Sequence, residues 1–295
     1  MTLGEQAFSL TAMNQPQTKI LVTGGNRGIG RAIVAGLIAE GHSVVFSVRQ
    51  QAQGQKCLHE LKQEYPQAEL DWIKGDFSSI ASCYDFVERL QSTHPDINVL
   101  INNAGVWMTQ KQLNVDGLEM SFMVNYLAPY ILSTRLADML CQNAPARIVN
   151  VNAGLYVKGK LYLAKTPYGK DFHKIKTYAN TKLCAAMFTL SFAQRLSDLN
   201  LIVNAVHPGV INTGLGDFKG LLGLLLRLVK KTWKKAETGA LAPIWLATSE
   251  EAAGFQGLYF NEMVPMDYNV WALDEKLRDE LWQWTKELIA ERLAI

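Results

Sequence analysis

The chain has 295 residues, 48% of them hydrophobic and 19% charged, which is enough for one large domain or two small ones with a sizeable core. Its formal net charge of +2 at pH 7 argues against nucleic acid or an acidic macromolecule as partner. The four cysteines are widely spaced and form no CxxC pair, so we expect buried, reduced thiols and no metal centre.

The first residues of the chain do not have the pattern of a secretory signal. Residues 1–18 are polar and irregular, and we expect a flexible tail there rather than a secretory signal. No run of about 18 apolar residues occurs, so no transmembrane span is predicted. Reduced thiols suit the cytoplasm, which is the predicted location.

Apolar, strand-like runs alternate with helical patterns along the chain. The predicted strands are 19–23, 43–48, 70–74, 98–102, 147–151, 201–206 and 257–260. The predicted helices are 28–40, 53–65, 79–92, 117–141, 178–197, 235–248 and 274–292. Because the strands are continuously apolar, both sheet faces should be covered. The pattern predicts one α/β domain over 19–293, with a Rossmann-like doubly wound parallel sheet of about seven strands flanked by helices.

A glycine-rich turn, Thr-Gly-Gly-Asn-Arg-Gly-Ile-Gly at 23–30, lies between the first predicted strand and the first predicted helix. Its glycines permit a tight turn and close backbone approach. The helix start then offers unpaired N–H groups and a partial positive charge to a pyrophosphate. A glycine-rich surface loop is the alternative, but the placement predicts a dinucleotide site. The predicted contacts in this turn are Gly24, Asn26, Arg27, Gly28, Ile29 and Gly30.

The end of the second predicted strand bears on the choice of dinucleotide. An acidic residue there would bond a ribose 2′-hydroxyl, but the chain has Arg49, and no acid follows before Glu60. Arg27 is a second guanidinium, and two cations can hold a 2′-phosphate. Although both arginines could be solvated surface residues, the pattern favours NADP(H) over NAD(H). Asp76, beside Phe77, is a predicted adenine contact and could equally be the N-cap of the next helix.

Tyr178 and Lys182 stand four residues apart at the start of a predicted helix, a spacing that puts both on one face. A phenol with its usual pKa of about 10 exchanges protons poorly near neutrality. A neighbouring ammonium lowers that pKa by favouring the phenolate, and it could also bond the cofactor ribose. Such pairs are frequent by chance on helix surfaces, so this one gains its weight from the motifs around it.

Together these motifs make the chain resemble the short-chain dehydrogenase/reductase family, and within it the retinol dehydrogenase-like group. The resemblance covers nearly the whole chain. The family motifs are the glycine turn at 23–30, Asn102-Asn103-Ala104-Gly105, the Tyr178/Lys182 pair and His207-Pro208-Gly209. The group is indicated by Phe122-Met-Val-Asn125-Tyr-Leu-Ala-Pro, Pro145-Ala-Arg-Ile-Val-Asn-Val, Ala205-Val-His-Pro-Gly-Val and the 25 positions from Ala153 to Tyr178.

The resemblance implies roles for the matching residues. Tyr178 would be the general acid in carbonyl reduction and the base in alcohol oxidation, while Lys182 would lower its pKa and hold the nicotinamide ribose. Asn125 would kink its helix and hold a water that relays protons. The other implied cofactor contacts are Asn103, Ala104 and Gly105 on the adenosine side, and Pro208, Gly209, Val210 and Thr213 at the nicotinamide carboxamide.

At Ala153 the chain departs from the family pattern, which has a serine whose hydroxyl donates to the substrate oxygen. Loss of one such donor typically costs about 10²–10³ in rate. Asn152 or Tyr156 could supply a replacement donor. Alternatively, the substrate or a water supplies it, or the reaction needs none, as in some carbon–carbon double-bond reductions. A third possibility is binding without redox turnover, and a deliberate substitution at 153 is a fourth.

The substrate side is predicted from residues 218–235, which are first apolar and then basic. One interpretation is a lid over 213–236 that makes peripheral membrane contact, and the other is a core-packed helix with a solvated lysine end. The resemblance implies a small apolar substrate, polycyclic or isoprenoid. The predicted substrate contacts are Asn152, Ala153, Tyr156 and Trp107.

The leading functional hypothesis is an NADP(H)-dependent oxidoreductase acting on a hydrophobic carbonyl/alcohol or a conjugated enone. The alternative is a cofactor-bound protein without redox turnover, either a ligand sensor or a non-redox cyclase or isomerase. A homodimer through the Tyr178 helix is implied by the family, in which this helix is a dimer surface in many members.

Overall fold

The computed structural model describes residues 18–143, 145–196, 199–209 and 235–294. In these ranges, eight strands form one sheet in the order β3-β2-β1-β4-β5-β6-β7-β8. The strands are β1 (Lys19–Thr23), β2 (Ser43–Val48), β3 (Leu70–Lys74), β4 (Val99–Asn102), β5 (Ala146–Val151), β6 (Leu201–His207), β7 (Tyr259–Asn261) and β8 (Val264–Met266). Neighbours from β3 to β7 pair in parallel, and β8 pairs antiparallel with β7.

Helices cover both faces of this sheet. They are α1 (Gly28–Ala39), α2 (Gln51–Glu64), α3 (Ile80–Thr93), α4 (Met120–Phe122), α5 (Ala128–Gln142), α6 (Lys176–Arg195), α7 (Ala236–Thr248), α8 (Val270–Leu273) and α9 (Glu275–Leu293). One hydrophobic core joins the sheet to α1, α2 and α7. The other joins it to α3, α5, α6 and α9. The predicted fold class, a doubly wound α/β sheet flanked by helices, is confirmed.

The structure contains two elements that were not predicted, β8 and the four-residue α8, and one predicted helix begins later than expected. β8 was missed because it is three residues long, fully exposed and contains Pro265, so it lacks the apolar run of a buried strand. The helix predicted over 117–141 begins only at Met120, since Gly117 lies in a turn with φ of +75°. A π-helical turn, Met123–Leu127, then separates α4 from α5.

Two predicted segments fall largely outside the described residues. They are the tail, of which 1–17 lie outside, and the lid, of which 213–234 lie outside. Thr18 belongs to the fold, since its Oγ1 lies 3.0 Å from Nδ1 of buried His42. At the other end of the predicted lid, Lys235 is the N-cap of α7.

The strand order places one crevice in the sheet. β1 pairs with β2 on one side and with β4 on the other. The chain adds β2 and β3 on one side of β1 and then β4 to β7 on the other side, so the order of the strands reverses at the boundary between β1 and β4. In open α/β sheets, ligands bind at such a reversal, outside the carboxyl ends of the strands. The glycine turn after β1 and the Asn103 segment after β4 therefore meet where a dinucleotide is expected.

Candidate active site

The glycine turn between β1 and α1 has backbone requirements that favour glycine. Gly24 and Gly28 have φ of +67° and +54°, in the left-handed region where a Cβ is strained. At Gly30, an added Cβ would lie 2.2 Å from the Gly24 carbonyl oxygen and 2.5 Å from Nδ2 of Asn103. No described side chain caps the start of α1, so its first N–H groups are available to an anion.

The segment after β4 braces this turn. Thr23 Oγ1 accepts hydrogen bonds from the backbone N–H groups of Asn103 and Ala104, both at 2.9 Å. In the opposite direction, Nδ2 of Asn103 donates to the carbonyls of Thr23 and Gly24 at 2.9 and 3.3 Å. The Asn103 side chain thus stabilises the glycine turn through hydrogen bonds. The sequence had predicted only a contact of Asn103 with adenosine.

The two predicted phosphate-binding arginines, Arg27 and Arg49, are exposed. Neither forms an ion pair with another residue of the described ranges. Arg31, by contrast, pairs with Glu60 at 2.6 Å, so the first acid after Arg49 in the sequence is already engaged. Asn26 donates from Nδ2 to Gln53 at 3.0 Å, which ties the turn to α2. Within the described ranges, the guanidinium groups of Arg27 and Arg49 therefore have no carboxylate partner and are available to an anionic ligand.

Asp76, which follows β3, was predicted to contact adenine or to be the N-cap of the next helix. Ser79, not Asp76, is the N-cap of α3, because the Ser79 hydroxyl accepts from the N–H of Ser82 at 3.2 Å. The N-cap alternative for Asp76 is therefore wrong. Asp76 instead accepts from the N–H of Ser78 at 3.1 Å. The Phe77 ring is buried, and its centroid lies 5.1 Å from that of Phe86. The predicted cofactor contact of Phe77 would therefore come from its backbone.

Tyr178 and Lys182 lie on the first turns of α6 and are both 6% exposed. The Lys182 Nζ lies 5.9 Å from the Tyr178 ring centroid and donates to the Val151 carbonyl at 3.0 Å. A Cβ on Gly105 would lie 3.3 Å from Oδ1 of Asn125 and 3.9 Å from Lys182 Nζ. Asn125 and Lys182 therefore meet beside Gly105, and Lys182 links this point to the Tyr178 ring.

Burial controls the proton affinities of this pair. It lowers the pKa of Lys182 to about 8 and raises the pKa of Tyr178 well above its ordinary value, since a buried group favours its neutral form. The lowering of the Tyr178 pKa that the sequence predicted from Lys182 does not outweigh burial in this structure. The lysine is itself poorly solvated and directs its Nζ at a backbone carbonyl.

Asn125 lies in the π-helical turn and connects two parts of the site. Its Oδ1 accepts from the Val106 N–H at 2.8 Å, and its Nδ2 donates to the Val106 carbonyl at 2.9 Å. The same Nδ2 donates to Oγ1 of Thr181 at 3.1 Å, and that hydroxyl donates to the Tyr178 carbonyl at 2.9 Å. Sequence reasoning missed Thr181, although its place three residues after Tyr178 puts it on the same helix face.

Position 153 follows β5 and carries only a methyl group. Asn152 accepts from the Ala153 N–H at 2.8 Å and donates from Nδ2 to the Lys182 carbonyl at 3.1 Å. The buried Tyr156 hydroxyl donates to the Asp267 carbonyl at 3.5 Å and accepts from the Asn269 N–H at 3.3 Å. Both side chains considered as replacements for the serine hydroxyl are therefore engaged with backbone groups.

The end of β6 and the residues after it form the segment that is predicted to contact the nicotinamide carboxamide. The His207 ring packs against Gly154, where an added Cβ would lie 3.0 Å from its Cδ2 and Nε2. Burial is the main cause that lowers the His207 pKa. Gly209 has φ of +87°, and a Cβ there would lie 2.8 Å from a Glu262 carboxylate oxygen. Pro208 is buried between them, while the predicted contacts Val210 and Thr213 lie outside the described residues.

Within the described ranges, no cluster of three or more His, Cys, Asp or Glu side chains is arranged to hold a metal ion. In the same ranges, every helix is too short or too polar to span a bilayer.

Comparisons with known proteins identify the family. The family described as short chain dehydrogenase matches residues 18–219, and the chain belongs to it. It is 32% identical to human (Homo sapiens) retinol dehydrogenase 14, covering 92% of this chain and 85% of that protein. It is 30% identical to mouse (Mus musculus) retinol dehydrogenase 12, covering 95% and 88%. Membership of the predicted family, close to the retinol dehydrogenase-like group, is confirmed.

Solved structures agree on the fold. A short chain dehydrogenase from Burkholderia cenocepacia J2315, determined in complex with NADP, superposes with a TM-score of 0.67 at 23% identity. The match covers 85% of this chain and 99% of that one. At this identity the likeness supports the Rossmann-like architecture.

Proposed function

We propose that this protein is an NADP(H)-dependent oxidoreductase acting on a hydrophobic carbonyl/alcohol or conjugated enone substrate, with Tyr178 as proton donor and acceptor. The observation that carries the proposal is the buried Tyr178/Lys182 pair, whose Lys182 ammonium lies with Asn125 beside Gly105. Such a pair on a surface helix would be unremarkable, but here both side chains lie where a nicotinamide would end.

The residues present fit the cofactor. The backbone at Gly24 and Gly28 and the crowding at Gly30 keep side chains off these three positions in front of the α1 amino end, so that the backbone can approach a pyrophosphate closely. The exposed guanidinium groups of Arg27 and Arg49 would hold the 2′-phosphate. The NADP bound in the Burkholderia cenocepacia relative supports this choice. When bound, the nicotinamide supplies or accepts the hydride.

The protein's own contribution is to hold and move one proton. Because burial raises the pKa of Tyr178, its hydroxyl stays protonated at neutral pH and is ready to donate to a carbonyl oxygen. Lys182, whose pKa burial lowers to about 8, is mainly cationic at pH 7 and would favour the phenolate left behind. Asn125 and Thr181 fix the helix turn that carries the phenol.

The proposed substrate is a small apolar molecule. The relatives named retinol dehydrogenases support an isoprenoid aldehyde or alcohol. Trp107 and Ala153 would contact this substrate beside the Tyr178 hydroxyl. Asn152 and Tyr156, which are hydrogen-bonded to backbone groups, would support these contact residues. Peripheral membrane contact through 218–235, a homodimer and a cytoplasmic location stay predictions.

The test is consumption of reduced cofactor. Purified protein is mixed with NADPH and, in turn, all-trans-retinal, a long-chain aliphatic ketone and a cyclic enone, and nicotinamide absorbance is followed. We expect consumption with at least one probe, abolished by Tyr178→Phe while NADPH binding, measured by its fluorescence, is kept. Equal consumption by Tyr178→Phe would rule out its role as proton donor.

A second candidate is a cofactor-bound protein without redox turnover, acting as a ligand sensor or as a non-redox cyclase or isomerase. It is favoured by one observation: Ala153 offers no hydroxyl, and Asn152 and Tyr156 are engaged with backbone groups. Tight binding of an apolar probe with no NADPH consumption across the panel would select this candidate.

A further inference from the structure

The indole of Trp107 lies flat against the phenol of Tyr178. The ring centroids are 4.4 Å apart and the planes differ by 8°. Tyr178 is buried, and Trp107 is half-buried, so the indole covers one face of the phenol ring. Aromatic pairs at such distances attract each other beyond the effect of area burial alone.

The indole is itself fixed from two sides. Its Nε1 donates to the Lys174 carbonyl, just before α6 begins. Its backbone follows Val106, whose N–H and carbonyl are both held by the Asn125 side chain at 2.8 and 2.9 Å. A ring held at its polar edge and at its backbone has little freedom to tilt, so it can act as a rigid plate for its neighbour.

These contacts close a loop through the site. From Trp107 the path runs by stacking to Tyr178, from the Tyr178 carbonyl to Thr181, and from Thr181 to Asn125. Asn125 returns it to the residue before Trp107. The Trp107 indole thereby supports one face of the phenol ring, and the residue before it, Val106, is bound to Asn125 in the π-helical turn.

We infer that Trp107 is a positioning residue that fixes the direction of the Tyr178 hydroxyl by stacking on its ring. The inference rests on the proposed function, in which that hydroxyl exchanges a proton with the substrate. With a methyl at Ala153, no serine hydroxyl helps to align the substrate oxygen, so alignment depends more heavily on the phenol. A misplacement of about 1 Å at a reacting centre can cost on the order of 100-fold in rate.

The kinetic test compares two substitutions. Trp107→Phe keeps a ring against the phenol, whereas Trp107→Leu keeps only apolar bulk. We expect Trp107→Leu to lower kcat by about 10- to 100-fold and to leave the KM for NADPH within about threefold, with Trp107→Phe restoring most of kcat. The matched control is Trp245→Leu, which removes a half-buried indole from the other face of the sheet. A loss in kcat that is equal for Phe and Leu would overturn the inference.

A second readout does not depend on turnover. In holoprotein with labelled tyrosine, the Tyr178 resonance is assigned by its disappearance in Tyr178→Phe. A ring stacked under an indole is shifted upfield by the ring current, and we expect this shift to be reduced but present in Trp107→Phe and lost in Trp107→Leu. An unshifted wild-type resonance would overturn the inference. If no panel probe is turned over by the wild type, the proposed function fails, and this shift alone decides whether Trp107 fixes the phenol.

Discussion

The two ends of the proposed site are built in different ways. At the cofactor end, Thr23 and Asn103 bind the turn through four backbone groups, and Gly30 leaves no space for a side chain. At the reacting end, Tyr178 is supported by the stacked Trp107 ring, and Ala153 replaces a hydrogen-bond donor. Backbone geometry thus permits few changes where a pyrophosphate would bind, whereas the reacting end carries the proposed acid, Tyr178, without the serine hydroxyl of the family pattern.

The methyl group at position 153 is the main departure, and restoring the hydroxyl should have the largest effect. If the protein is a ketone or aldehyde reductase working without this donor, Ala153→Ser should raise kcat by up to about 10²–10³. Ala153→Gly, which adds no donor, is the control. An unchanged or lower rate for Ala153→Ser would show that the reacting end has been rebuilt for other chemistry.

The crowding at Gly30 tests the cofactor end. A Cβ there would lie 2.2 Å from the Gly24 carbonyl oxygen, so Gly30→Ala must displace the turn. We expect the NADPH dissociation constant, measured by fluorescence titration, to rise by about 100-fold, equivalent to about 2.8 kcal/mol. In the control Gly254→Ala, the new Cβ meets no described atom within 4 Å. Equal affinities for Gly30→Ala and wild type would mean that the pyrophosphate binds elsewhere.

The buried lysine at the reacting end predicts a pH dependence of stability. Since burial lowers the Lys182 pKa from 10.5 to about 8, the unfolded chain binds this proton more tightly than the folded protein. The group therefore destabilises the fold below about pH 8, and the penalty disappears as the pH rises toward 10.5. Relative to Lys182→Met, wild-type unfolding free energy should rise by about 2.6 kcal/mol over this range. Parallel profiles in denaturant titrations would contradict the depressed pKa.

The two exposed arginines should have the smallest effects. Losing one charge-assisted contact to a 2′-phosphate should weaken NADPH binding by about tenfold, or about 1.4 kcal/mol, in Arg49→Ala or Arg27→Ala. NADH affinity should not change, because NADH lacks that phosphate. Lys56→Ala, which removes another exposed cation from α2, is the control. Tighter binding of NADH than NADPH by the wild type would overturn the role given to Arg49.

Much of the cofactor end could be predicted, because the glycines of the turn at 23–30 stand where the backbone conformation requires them. Seven strands and the glycine turn follow from apolar runs and glycine placement, and their parallel order follows from the alternation with helices. The N-cap of α3 was not predicted, because Asp76 was the residue considered for it and the hydroxyl that caps the helix is that of Ser79.

The reacting end could be predicted only in part. Tyr178 and Lys182 are a local pattern, but the Trp107 stack joins residues 71 positions apart in the chain. The π-helical turn at Asn125 likewise depends on its contacts with Val106 and Thr181, which no local propensity encodes. Residue type alone also suggested that Asn152 and Tyr156 were free donors, whereas their partners were visible only in three dimensions.

The most direct test of the account is the fate of isotope from the cofactor. NADPH carrying deuterium at both C4 positions is incubated with the wild-type protein and the aldehyde or ketone probe that it consumes, and the alcohol is analysed by mass spectrometry. We expect one deuterium at the former carbonyl carbon, and no labelled product from Tyr178→Phe. An alcohol free of deuterium, or labelled alcohol formed equally well by Tyr178→Phe, would contradict this expectation.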